Sequence, residues 1–173
     1  MKYLRRRDFT IGAAIGAFAA PLGLGQQGRP DFSGRWVLDV AKSQMPQPSP
    51  DDLVEIIDHH EPTLKVRAIT SHRFPDEPVA VTLALTTIPE LTASTDGAET
   101  AQTWGPAQVR FRTRWDGPRL LTDWTVSLPG QPSITGTWSR SLAEGGRAQV
   151  LEIHAKSSQD SQRGQAKLVF VKK

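Results

Sequence analysis

Not one of the 173 residues is a cysteine. That absence removes disulfides, a thiolate metal site and a thiol nucleophile together, so the fold must stand on its own core. A long hydrophobic run is missing too. The apolar stretch "IGAAIGAFAAPLGLG", Ile11 to Gly25, is rich in Gly and Ala and falls short of the roughly 20 residues that a spanning helix needs. No cysteine follows it, which excludes a lipid-modified anchor. Five tryptophans and a single tyrosine do not make the basic, aromatic platform that nucleic acid requires. No Ser-His-Asp order, phosphate-cradling glycine loop or metal-protease spacing is present. An excess of charge of one sign is lacking as well, despite a pI near 9.5. The 21 Lys+Arg outnumber 18 Asp+Glu only through Lys2, Arg5, Arg6 and Arg7 against Asp8. From Gln26 onward the chain is formally neutral, which argues against a nucleic-acid or membrane-surface partner.

What those first residues do have is the layout of an export signal: a basic start, the apolar run, and small residues at Gly23 and Gly25 ahead of a cleavage point before Gln26. Arg6-Arg7-Asp8-Phe9 resembles the twin-arginine motif, which assigns signal roles to Arg6, Arg7 and Phe9. Residues 1–25 are therefore expected to be an export signal that engages the export machinery and is then removed. The expected location is periplasmic or secreted, with no stable membrane insertion afterwards. Residues 26–173, about 148 in all, suffice for one domain that buries around two thirds of its unfolded surface.

The mature chain shows no sustained helical periodicity. Short segments rich in Val, Ile, Thr and aromatics alternate with Pro, Gly and Asp clusters, the spacing of an all-β barrel or sandwich. Strands are expected at 34–41, 53–60, 64–73, 79–88, 98–104, 107–115, 119–128, 133–141, 148–156 and 165–172. "SQMPQPSPDD" and "IPELTASTDGA" are the long loops. Connections this short make neighbours antiparallel, so the sheet is expected to be an up-and-down meander of about 8–10 strands.

Parity fixes the expected faces. In "RTRWDGPRLL" an Asp116-Gly117 turn pairs Thr113 with Leu120, Phe111 with Thr122 and Val109 with Trp124, giving a nearly apolar face. The opposite face carries Arg110, Arg112 and Arg114, with Arg110 against Asp123. A five-residue loop, 129–133, keeps Trp124 and Trp138 on one face. In "DHHEPTLKV" a three-residue turn at 61–63 pairs His60 with Leu64 and Asp58 with Val66. That places Asp58 and His60 at the turn end of an otherwise apolar inner face.

The stretches "DFSGRWVLDVAKS", "IIDHHEPTLKV", "RWDGPRLLTDW", "GTWSRSLAEGGRAQVLEIHAKS" and "KLVFVKK" together resemble a group of uncharacterised secreted bacterial proteins of lipocalin-like, calycin-type β-barrel form. The resemblance spans nearly all of the mature chain. It implies a closed antiparallel barrel in which Trp36, from the Gly-x-Trp, shuts one end against a late basic residue; Arg140, Lys172 and Lys173 are the candidates. No cofactor is implied.

Trp36, Phe111, Trp115, Trp124 and Trp138 are the candidates for lining a ligand cavity, and they equally suit a filled core. Arg110, Arg112 and Arg114 share one face, which the hairpin puts outside. His59 and His60 point to opposite faces and cannot chelate one ion without a bulge, so no metal site is expected. An inward histidine as an axial haem ligand leaves His60, His72 or His154. The weak catalytic candidates are Asp58 and His60, a carboxylate and imidazole two residues apart on one face. The expected function is binding a small hydrophobic or amphipathic ligand in the cell envelope, without chemistry. The alternatives are a small-barrel enzyme using Asp58 and His60, and a packed barrel acting as a protein-interaction module.

Overall fold

A computed structural model describes residues 28–46, 52–70, 90–158 and 163–173. Arg6, Arg7, Phe9, His72 and the expected strand 79–88 lie outside the described residues. Among the described residues ten strands are seen: β1 (Gly34–Leu38), β2 (Val54–His60), β3 (Thr63–Ile69), β4 (Leu91–Ser94), β5 (Asp96–Trp104), β6 (Ala107–Asp116), β7 (Arg119–Ser127), β8 (Ile134–Ala143), β9 (Ala148–Ser157) and β10 (Arg163–Lys172). Helix among the described residues is limited to single 3₁₀ turns at Val40–Lys42 and Glu144–Gly146.

The strands form one antiparallel sheet in the order β4-β3-β2-β1-β10-β9-β8-β7-β6-β5. Each lies beside a neighbour in sequence, and the first pairs with the last through Trp36 opposite Lys172 and Leu38 opposite Phe170. This is an up-and-down meander that nearly closes into a barrel. The seam falls between β4 and β5, where Gln102 spans the gap. Its amide oxygen accepts from the Thr92 N–H at 3.2 Å and its amide nitrogen donates to the Glu90 carbonyl at 3.4 Å. A side-chain amide offers the same donor and acceptor as a peptide group, so Gln102 supplies in part the pairing that the ladder omits.

Alternation puts one face of β6 and of β7 inside. On β6 the buried positions are Ala107, Val109, Phe111 and Thr113; on β7 they are Leu120, Thr122, Trp124 and Val126. These meet Trp138 and Arg140 of β8, Leu151 and Ile153 of β9, Leu168 and Phe170 of β10, and Trp36 of β1. Packing is close at Gly136, where a Cβ would come within 2.3 Å of both Trp124 Cζ2 and the His154 carbonyl oxygen. The Trp124 ring occupies the space that any other residue there would need.

Four expectations are corrected. The segment expected as the loop "IPELTASTDGA" contains β4, a four-residue strand whose Leu91 and Ala93 face inward among turn-forming neighbours. The β2–β3 turn has two residues, Glu61-Pro62, joined by a cis peptide, and it pairs His60 with Thr63 and Ile57 with Val66. A slip of one residue exchanges the faces of a strand. Glu55, Ile57 and His59 therefore point inward, and Asp58 and His60 point out. The β6–β7 turn is Gly117-Pro118, with Gly117 at φ 57°, so Phe111 lies opposite Trp124 and Asp123 opposite Arg112. Likewise Val126 lies opposite Ile134 and Trp124 opposite Gly136. These last two slips are of two residues; partners change but faces do not.

Candidate functional site

Three polar or aromatic groupings lie along the barrel, ordered by strand register. The first caps the end that holds the β2–β3 and β6–β7 turns. There the Glu61 carboxylate accepts four bonds. Oε1 takes Trp115 Nε1 at 2.8 Å and His59 Nε2 at 3.1 Å; Oε2 takes Thr95 Oγ1 at 2.8 Å and Arg29 Nη1 at 2.9 Å. His59 is buried, and its Nδ1 accepts the Phe32 N–H at 3.4 Å. With Nδ1 accepting, the proton of the neutral ring sits on Nε2 and points at Glu61. Both ring nitrogens are thus committed to holding residues 28–33 across the barrel end. The Arg29 guanidinium stacks 5.5 Å from the Trp115 ring centroid.

Burial pushes the Glu61 carboxyl up, but hydrogen bonds from Thr95, Trp115 and His59, with the Arg29 charge, outweigh it and hold it below the usual range. Asp31, held by Ser33, is also lowered. A carboxylate lowered on folding stabilises the fold above its unfolded value of about 4.5, and that contribution is lost as pH falls through the folded value. Thermal unfolding from pH 7 down to pH 3 should therefore show Tm falling increasingly below pH 4.5. Glu61→Gln should lower Tm at pH 7 and flatten this acid limb. An acid limb as steep in the variant as in wild type would refute the assignment.

One step further in lies a buried ion pair. Arg140 Nη1 is 2.5 Å from Glu55 Oε2 and Nη2 is 3.1 Å from Oε1, with side chains 8% and 7% exposed. Gln149 Nε2 donates to Glu55 Oε2 at 2.8 Å, which turns its Oε1 away from the carboxylate. That oxygen is buried and has no hydrogen-bond partner among the described residues. Beside this layer the Thr113 and Thr122 hydroxyls bond to each other at 2.8 Å.

The third grouping is aromatic. Trp104 and Phe111 lie 5.1 Å apart between ring centroids, Phe111 and Trp138 5.9 Å, and Trp124 and Trp138 5.6 Å. Among the described residues, the Nε1–H groups of Trp104, Trp124 and Trp138 are buried without a hydrogen-bond partner. Buried donors are nearly always satisfied, and an unsatisfied one costs about 1–3 kcal/mol.

Of the sequence candidates, Phe111, Trp124 and Trp138 come together in this row. Trp115 instead belongs to the cap. Trp36 is fully buried, donating from Nε1 to the Phe32 carbonyl at 2.8 Å, with Lys172 Nζ 5.2 Å from its ring centroid. Of the three basic candidates, then, Lys172 is the one that packs on Trp36, while Arg140 serves Glu55. Asp58 and His60 form an exposed pair at 2.7 Å, away from the interior. Arg110, Arg112 and Arg114 point outward; Arg114 bonds Asp123, and Arg112 lies 3.9 Å from Glu99. His154 is also outward and exposed. A surface hollow lies on this outer face, bordered by Arg110, Arg112, Asp123, Thr137 and His154. Trp104, Glu55, Glu61 and Gln149 were not singled out from sequence, and His59 was weighed only as a metal ligand. Correct turn lengths would have revealed Glu55 and His59 as inward.

No protein-family model matches the chain, and no curated protein matches it. Among solved structures it is similar to human cRBP IV at 12% identity and a TM-score of 0.49, over 83% of this chain and 99% of that one. It is also similar to secretory abundant heat soluble protein 4 from Ramazzottius varieornatus at 13% identity and a TM-score of 0.44, over 82% and 94% of the two chains. At these identities and scores neither likeness carries a family or a function.

Proposed function

We propose that the chain is an exported barrel that holds a small apolar or amphipathic molecule among its inward side chains, for sequestration or carriage without chemistry. The observation that carries this reading is the set of four buried, unpartnered polar atoms on Trp104, Trp124, Trp138 and Gln149. A few placed polar groups in an apolar enclosure are how small-molecule sites fix their ligands. The export half rests on Arg6, Arg7 and Phe9 with the apolar run that follows them. An acid/base reading has no comparable support, because Asp58 and His60 face solvent and both nitrogens of His59 are engaged.

The test is native mass spectrometry of the protein recovered from the periplasm of its own host. A chain beginning at Gln26 with a stoichiometric small molecule bound is expected. A chain still carrying residues 1–25 would sink the export reading. A clean apo mass, with no thermal stabilisation by a panel of uncharged amphiphiles, would sink the binding reading and leave the indoles to ordered water. The close ring packing and the Trp124 ring against Gly136 would then favour the second reading, a packed barrel that works through its outer face.

A further inference from the structure

Resting on the binding proposal, we infer that the molecule held is uncharged and carries hydroxyl or carbonyl oxygen, and that ions of either sign are disfavoured. Arg140 is the only lysine or arginine among the buried residues described, and its charge is spent. Two guanidinium nitrogens lie on the two oxygens of Glu55, and Gln149 adds a third donor to the same carboxylate. An incoming carboxylate would sit beside Glu55 with no free counter-charge, and an incoming ammonium would face Arg140. Either would be desolvated without recompense.

The groups left over are dipoles. Three indole N–H groups call for acceptor oxygens, and Gln149 Oε1 calls for a donor. The orientation of the Gln149 amide is fixed by chemistry, since turning it over would set its oxygen against the Glu55 carboxylate. A hydroxyl satisfies both kinds of leftover group, and a ketone or ester satisfies the indoles.

Three probes of one chain length decide it: decanol, decanoate and decylammonium, titrated into the mature protein at pH 8 and read by tryptophan fluorescence, with calorimetry to confirm. Decanol is expected to bind at least about tenfold more tightly than either ion, and the two ions within about tenfold of each other. Decanoate equal to decanol, or more than tenfold tighter than decylammonium, would show a free interior cation and overturn the inference. If none of the three binds, the binding proposal itself fails and takes this one with it. Glu55→Gln gives a second reading, because it releases the guanidinium: decanoate should gain about tenfold relative to decanol. Should that variant not fold, the wild-type series still decides.

Discussion

Glu55→Ala and Arg140→Ala should each lower the free energy of unfolding by about 3–5 kcal/mol, while the double variant Glu55→Leu with Arg140→Met should recover part of that loss, falling short of wild type by about 1–3 kcal/mol, the cost of the stranded Gln149 amide. The asymmetry follows from burial. At 7% and 8% side-chain exposure, deleting one partner strands the other charge where water reaches it poorly. Losing Glu55 also strands the Gln149 amide nitrogen. Replacing both partners by apolar side chains of similar volume removes two desolvation costs along with the attraction that offset them. Urea unfolding would measure this as a shift of midpoint at constant slope. Single variants that lose less than about 1 kcal/mol, or a double variant no better than the singles, would mean that the pair is better hydrated than its geometry indicates.

The architecture was legible in the sequence because its signals are local. Alternation along "VRFRTRWD" and "LLTDWTV" marks two strands and their inner faces whichever residues are counted into the turn. Errors of two residues at Gly117-Pro118 and after Ser127 cost only the identity of cross-strand partners. The one-residue error at Glu61-Pro62 mattered far more. It put Asp58 and His60 inside in place of His59 and Glu55, and with them went the whole reading of the interior polar groups. Whether that turn spans two residues or three is not told by the residue names. Glu55 is far in the chain from Arg140 and Gln149 and meets them only when β2 closes against β8 and β9 across the barrel. No spacing rule connects them. Trp104 was missed for a different reason: it ends β5 beside the Gly105-Pro106 turn, so periodicity gives it little support.

Trp36→Ala should lower the free energy of unfolding by about 3–5 kcal/mol, the range for truncating a buried large aromatic. This ring has no exposure, and its Nε1–H anchors the Phe32 carbonyl at 2.8 Å. Phe32 in turn packs against His59 and Trp115, at 5.9 and 6.2 Å between centroids, so the cavity would open directly beneath the cap. Trp36→Phe fills most of that space but leaves the carbonyl unbonded, and should cost about 1–3 kcal/mol. Lys172→Met keeps the stem against the ring and removes only the charge over it, worth about 0.5–1 kcal/mol at an exposed position. Urea unfolding of the three variants should rank them in that order, with hydrogen exchange at residues 31–38 fastest in Trp36→Ala. If Lys172→Met proved as costly as Trp36→Ala, the tryptophan would owe its place to the cation above it. If instead the order holds, the Gly-x-Trp serves first to plug the barrel and carry Phe32, and the lysine only covers it.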